Sequence, residues 1–324
     1  MRVHLALAGL VVPVVCVLGQ VAPPASAAPS TCQGLPATIT ADGGPVTGTG
    51  GDDVISTTGS VDISALGGND VICLSLGRVD AGPGNDSVLS LSTGSSSPSS
   101  PTMTATLGDG DDTFTASAGR YAASLGAGAD RVVITGFDIG GAFDAGADRD
   151  GLLFTDTTRI DVDLKHGGVV MGGQTFEVAG IEDVTATADR VTVRGDSKRN
   201  TLDLSGCIVK GYGGRGNDAL RLGSPNGIRC MKRNLQLYGE GGNDRLTGNR
   251  LSNLLVGGGG RDAANGKGGR DRCVTESRVH CELPGPQTRN TRNVTADPLS
   301  ADAAVLTTRA LVSARAAARR TGPS

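Results

Sequence analysis

Ten aspartates sit in one local setting: Asp53, Asp70, Asp86, Asp112, Asp130, Asp148, Asp218, Asp244, Asp262 and Asp271 each follow a glycine by two residues. From Gly239 the chain reads GEGGNDRLT, GNRLSNLLV, GGGGRDAAN, GKGGRDRCV, four unbroken nine-residue frames, with Asn253 in the aspartate place of the second. Carboxylates that recur at a fixed interval suit one chemistry above others, the collection of cations. Two unit charges about 5 Å apart at an effective dielectric near 20 repel by about 3 kcal/mol. A hard divalent ion reverses that sign. Calcium accepts six to eight oxygens in flexible geometry, whereas magnesium demands a tight octahedron and keeps its water. Zinc and copper prefer His or Cys, and only His166 and His280 lie beyond the first few residues.

The elements that would position these carboxylates follow from the frame G-G-x-G-x-D-x-U-x, with U a large aliphatic residue. GGRGNDALR from Gly213 meets every place, and GTGGDDVIS from Gly48 departs only at the second. ALGGNDVIC, AGPGNDSVL, LGDGDDTFT and LGAGADRVV, from Ala65, Ala81, Leu107 and Leu125, are looser copies. FDAGADRDG from Phe143 keeps Gly146 and Asp148 but has no aliphatic residue. Glycine permits positive φ and close backbone approach, so places one to six predict a turn and places seven to nine a short strand. The middle strand residue, such as Val88, Leu220, Leu246 or Leu255, points inward. Starts at 107, 125 and 143, and at 195 and 213, are eighteen apart. Two frames therefore make one coil of a solenoid whose units bury apolar surface only against their neighbours. Frames two apart stack at about 4.8 Å. Asp112, Asp130 and Asp148 are expected in one row, Asp244 over Asp262, and Asn253 over Asp271.

These frames resemble the hemolysin-type (RTX) calcium-binding repeat family. The segment from Thr157, with an alternating strand, a Gly-rich turn, the element Ile181 to Val184 and then G-D-x-x-x-N-x-L, resembles the lead-in to such repeats. The likeness spans about 48–274 and is tightest over 195–274. It implies an all-β parallel β-roll or β-helix. It also implies several calcium ions held by Asp53, Asp70, Asp86, Asp112, Asp130, Asp148, Asp218, Asp244, Asp262 and Asp271, with a weaker site over Asn253. Turn residues such as Gly213, Gly214, Gly216, Gly241 and Gly242 complete the sites. Spacings of seventeen and sixteen between the first three starts, a Ser/Pro-rich insert at 90–102 and a second insert containing Cys230 interrupt the pattern. Ala264 and Cys273 stand where an aliphatic residue is expected.

Composition agrees with an exported repeat protein. The chain has 51 Gly, no Trp, three Tyr and five Phe, outside the usage of an ordinary globular domain. Residues 1–27, an apolar run closed by Ala25-Ser26-Ala27, read as a secretory signal, with a membrane anchor as the rival. Setting Cys16 aside with that segment leaves Cys32, Cys73, Cys207, Cys230, Cys273 and Cys281. An even number in an exported chain favours disulfides, and proximity favours Cys32–Cys73, Cys207–Cys230 and Cys273–Cys281. The whole chain carries −3, the signal +1 and the tail 284–324 +4, so the body carries −8. That charge suits cations and argues against nucleic acid. We divide the chain into the signal (1–27), degenerate repeats (28–150), a strand-rich connection (151–194), calcium-binding repeats (195–283) and a basic tail (284–324) that is helical or frayed.

Catalytic motifs are missing. H-E-x-x-H and G-x-S-x-G do not occur. The Gly195-Asp196-Ser197 triplet falls on a repeat frame, and no D-x-x-H follows it. Asp161 and Asp163 alternate on one strand face, as a solvated surface does. The expected function is a non-catalytic calcium-binding protein, secreted or on a cell surface, with a cell-surface or extracellular polymer as the expected partner beside calcium. The alternative is a carbohydrate-active enzyme on a parallel β-helix.

Overall fold

A computed structural model describes residues 30–224 and 228–282, with the backbone alone described at 155–158. The expected signal and basic tail lie outside the described residues. The described chain is all strand, without helix, wound into a parallel β-solenoid of about 13 coils. No helix long and apolar enough to cross a membrane is present among the described residues.

Each coil contributes one strand to each of two parallel sheets. One sheet is built from short strands that begin just after the repeated acids, such as Val54–Thr57, Val71–Leu74, Thr113–Ala116, Arg131–Ile134, Ala219–Leu222 and Arg245–Thr247. The other holds longer strands, such as Thr102–Asp109, Gly119–Ala127, Asn234–Gly241 and Leu254–Gly259. The register confirms the eighteen-residue coil: Thr102 lies beside Arg120, Thr201 beside Ala219, Arg245 beside Ala263 and Leu254 beside Arg272. The inserts at 90–102 and around Cys230 leave between Ser87–Ser90 and Thr102–Asp109, and between Ala219–Leu222 and Asn234–Gly241. Val54 beside Val71 and Val71 beside Ser87 show that seventeen and sixteen residues also close a coil.

The place-eight side chains point inward, as expected. Ile55, Ile72, Val88, Phe114, Val132, Leu220, Leu246 and Leu255 are fully buried; at the C-terminal end Ala264 stacks on Leu246 in the short-strand sheet and Cys273 on Leu255 in the long-strand sheet. The few aromatics concentrate in mid-solenoid. Phe143 packs against Phe114, Tyr121 and Phe176 with ring centroids 5.6–6.0 Å apart. The frame's turn is narrower than expected. Place one to three residues, as in Gly239–Gly241 and Gly257–Gly259, remain in the long strands, and only places four to six turn the corner.

One dislocation interrupts the winding. Asp150–Asp163 and Ile181–Arg194 each run through both sheets, Leu152 beside Val184 and Ile160 beside Val191. Between them the chain folds back through Gly168–Met171 and Gln174–Ala179. Gly168–Met171 is antiparallel to both its neighbours, while Gln174–Ala179 joins Ile139–Asp144 in parallel. The long-strand sheet therefore carries two more strands here than the short-strand sheet, about 10 Å of extra height.

The cysteines pair as proximity suggested: Cys32–Cys73, Cys207–Cys230 and Cys273–Cys281. Three disulfides fit an oxidising compartment.

Candidate metal centre

All the repeated acids but Asp271 occupy the corner at which a long strand gives way to the next short strand. Two residues after each comes the buried place-eight side chain, so the acid's direction is fixed by alternation along the strand. The corner builds a ladder. The backbone N–H of each member donates to Oδ1 of the member one coil on: Asp53 to Asp70 (2.8 Å), Asp70 to Asp86 (2.8 Å), Asp86 to Asp112 (2.7 Å), Asp112 to Asp130 (2.8 Å). The Asp130 N–H then donates to Asp150 (2.8 Å), and the Asp150 N–H to Glu182 Oε2 (3.1 Å).

A second run climbs the same corner from Asn200 through Asp218 and Asp244 to Asp262, with steps of 2.8–2.9 Å, and ends on Glu276 Oε2. A third occupies the opposite corner, where the Asn253 N–H donates to Asp271 and the Asp271 N–H to Glu282. Each run ends on a glutamate. Each begins on a residue whose side-chain oxygen accepts an N–H from its own turn: Asp53 from Thr49 (2.6 Å), Asn200 from Asp196 (3.0 Å) and Asn253 from Asn249 (2.8 Å).

Expectation and structure therefore agree on the stacking of Asp112 on Asp130, Asp244 on Asp262 and Asn253 on Asp271. Asp148 is a correction. It is exposed, and its Oδ2 accepts only the Gly128 N–H (3.2 Å). Asp150 takes its place in the row and is fully buried. This coil takes twenty residues, with Arg131 beside Gly151, so Gly146 lies against Gly126, Asp148 comes to Gly128, and the acid that reaches the row is Asp150. Spacing from the aliphatic residue would have found it. Asp150-x-Leu152, Glu182-x-Val184 and Asn200-x-Leu202 repeat the spacing of Asp244-x-Leu246.

A second row was not anticipated. Place-five side chains accept N–H groups in the opposite direction: Asn69 N–H to Asp52, Asn85 to Asn69, Asp111 to Asn85, Asn243 to Asn217, at 2.7–2.8 Å. Side chains thus bridge each corner both up and down the solenoid axis.

Glycines have separable jobs. A Cβ on Gly213 would meet Asp218 Oδ2 at 2.5 Å and the Gly239 carbonyl at 2.7 Å, so in the C-terminal frames place one is kept clear for the carboxylate, whereas Ala65, Ala81, Leu107 and Leu125 stand there in N-terminal ones. Gly214, Gly216 and Gly242 have φ of +97°, +129° and +126°, where L side chains are strained. Gly241 has neither constraint, its nearest neighbour being the Gly214 carbonyl at 3.8 Å.

The electrostatics of the row are unusual. From Asp53 to Asp262 no member is more than 5 % exposed. Oδ1 is used by the ladder, yet Oδ2 of Asp70, Asp86, Asp112, Asp130, Asp150, Asp218, Asp244, Asp262 and Asp271 is buried with no hydrogen-bond partner. Nine orphaned carboxylate oxygens violate the rule that buried polar atoms are satisfied. Burial, with neighbouring row carboxylates adding to it, pushes Asp112 and Asp244 up to about 7. Burial likewise pushes Asp86, Asp150 and Asp218 up to about 6. It raises Asp70, Asp130, Asp262 and Asp271 in the same direction.

A buried carboxylate oxygen without a partner, repeated at nine aspartates, fits a hard cation. Among the described residues no three His, Cys, Asp or Glu side chains converge on one point. The coil spacing explains this, since each gap faces one carboxylate above and one below. Further ligands would have to be carbonyls or water, which suits calcium better than zinc.

A groove of about 770 Å³ runs over the outer face of the long-strand sheet beside the dislocation, floored by Thr104, Ala122 and Ser124 and walled by Glu177, Lys165 and Lys198. A comparison with models of known protein families returns no match, and neither does one with curated proteins.

Proposed function

We propose that the protein is an exported calcium-binding repeat protein of the hemolysin type, whose solenoid is completed by ions along its acid rows. The observation that carries this reading is the set of nine buried Oδ2 atoms without partners. Bound calcium supplies the positive charge that lets neighbouring row carboxylates ionise together. The protein's own contribution is to hold them: the ladder N–H groups fix Oδ1, a place-one glycine clears room for Oδ2 in the C-terminal frames, and the buried place-eight side chain sets the corner. Folding and binding are then coupled, with affinity in the range of roughly 10⁻⁴–10⁻³ M typical of extracellular modules. The role is structural or adhesive.

The test is far-UV circular dichroism and thermal unfolding of residues 28–324, disulfides intact, titrated with calcium and separately with magnesium. The expected result is a calcium-specific gain in β signal or melting temperature. A folded protein indifferent to calcium overturns the reading.

One observation favours a carbohydrate-active enzyme instead. The groove brings Asp144, Glu177 and Asp196 near Lys165 and His166. Against it, Phe143, the aromatic residue of the groove, is 1 % exposed and offers no stacking platform. Release of new reducing or unsaturated ends from neutral or acidic polysaccharides, abolished by Glu177→Gln, would establish the enzyme.

A further inference from the structure

The first acid run and the second occupy the same corner, yet the ladder does not pass straight through the dislocation between them. Glu182 closes the first run with both oxygens engaged. Its Oε2 accepts the Asp150 N–H (3.1 Å), and its Oε1 is paired with Lys198 Nζ. Glu182 is accordingly absent from the set of orphaned acids. Asn200 opens the second run. It is fully buried and neutral, with its amide donating to the Glu182 carbonyl (3.3 Å) and its Oδ1 accepting the Asp196 N–H. Lys198 faces more than one acid, since Glu182, Asp196 and Asp150 all act on its ammonium to hold it charged. Its frame, GDSKRNTLD, starts at Gly195 and puts the lysine at place four, where nearly every other copy has glycine. The place that elsewhere only turns the corner here reaches back across it with a cation.

We infer that Lys198 is a built-in counter-ion, an ammonium that takes the place of a calcium ion in the gap between Glu182 and the row above. It divides the corner into two arrays that fill independently, one from Asp53 to Asp150 and one from Asp218 to Glu276. The inference rests on the calcium reading of the rows. A covalently tethered charge suits this gap because the extra strands of the dislocation displace the neighbouring coil, and a long flexible side chain tolerates a mismatch that fixed carbonyls do not. Lys198 leaves through the wall of the groove, so the ammonium arrives from solvent without a separate buried path.

The experiment counts calcium ions bound to the full exported chain, residues 28–324, by equilibrium dialysis, and follows thermal unfolding with and without calcium. Three proteins are compared: wild type, Lys198→Met, and the double variant Glu182→Gln with Lys198→Met. The expected result is one more calcium per chain for Lys198→Met than for wild type. Its melting temperature should lie below wild type without calcium, and calcium should close the gap. The double variant, with neither charge, should keep the wild-type count and fold without the added ion. If Lys198→Met binds the wild-type number of ions and its deficit persists in calcium, Lys198 is an ordinary ion-pair partner and the inference falls alone. If Lys198→Met does not fold even in calcium while the double variant does, calcium cannot replace the ammonium and the inference falls again. If wild type binds no calcium, the calcium reading fails and takes the inference with it.

Discussion

Asn200 and Asn253 show what the ladder requires of a residue and what it does not. Both open their runs with a neutral side chain: the backbone N–H donates to the next carboxylate and the amide oxygen accepts an N–H of its own turn, so the buried corner accommodates an amide in place of a carboxylate. Asp244→Asn is therefore expected to preserve the fold and, without calcium, to raise stability by removing a buried charge. Asp244→Ala leaves the Asp218 N–H without its acceptor and should cost about 1–3 kcal/mol. Urea denaturation of the two variants separates these effects, and calcium should stabilise wild type more than either. The raised carboxyls give a pH dependence with a definite sign. Their folded-state values lie above the unfolded value of 3.8, reaching about 6 for Asp218 and about 7 for Asp112 and Asp244. The folded chain holds protons that the unfolded chain has released, so unfolding gains as pH rises. Calcium-free protein should lose stability between about pH 4 and pH 7, and saturating calcium should flatten or invert that slope in thermal melts. The glycines divide in the same way. Gly213→Ala pushes a methyl into Asp218 Oδ2 and the Gly239 carbonyl and should destabilise clearly. Gly241→Ala, with open space, should stay within about 0.5 kcal/mol.

At the scale of elements, the dislocation separates two regular stretches. The hairpin of Gly168–Met171 and Gln174–Ala179 is held by its apolar face: Val169, Met171, Phe176 and Val178 are buried. Phe176 meets Phe143 edge-on at 5.7 Å. It thereby ties the inserted strands to the aromatic cluster of the N-terminal coils. Phe176→Ala should cost about 3–5 kcal/mol, with early loss of hydrogen-exchange protection in the hairpin and in Ile139–Asp144. A uniform loss along the whole solenoid would mean that the hairpin is not an independent unit.

The molecule as a whole is quasi-one-dimensional, since each coil contacts only its neighbours and unfolding can begin at either end. Disulfides lie at both ends. Cys32–Cys73 ties the hairpin of Thr31–Cys32 and Leu35–Pro36 to the third short strand, and Gln33 reaches Ser87 beyond it. Cys273–Cys281 holds the last coil. Replacing Cys32 and Cys73 by serine should fray the N-terminal coils first and cost about 2–4 kcal/mol. Hydrogen exchange should show protection lost from 39–90 while 201–265 keeps it.

The sequence by itself determined the coil, the burial column and most of the acid row. Glycine at fixed places, an aliphatic two residues after each acid and an eighteen-residue spacing are local properties, and a solenoid is made of local repeats. Cysteine proximity was informative for the same reason, because residues near in sequence stay near in a coil. Only the tertiary structure decided where the repeat is broken and what that does. Asp148 has the glycine and Asp150 has the corner, and which one ladders depends on a coil two residues longer than its neighbours. The roles of Glu182, Glu276 and Glu282 as run ends depend on where a neighbouring coil is displaced or ends, which the frame does not encode. The pairing of Lys198 with Glu182 depends on a hairpin that folds back through one sheet and not the other. Stacking multiplies a nine-residue signal, whereas a dislocation occurs once and is specified by contacts between distant segments.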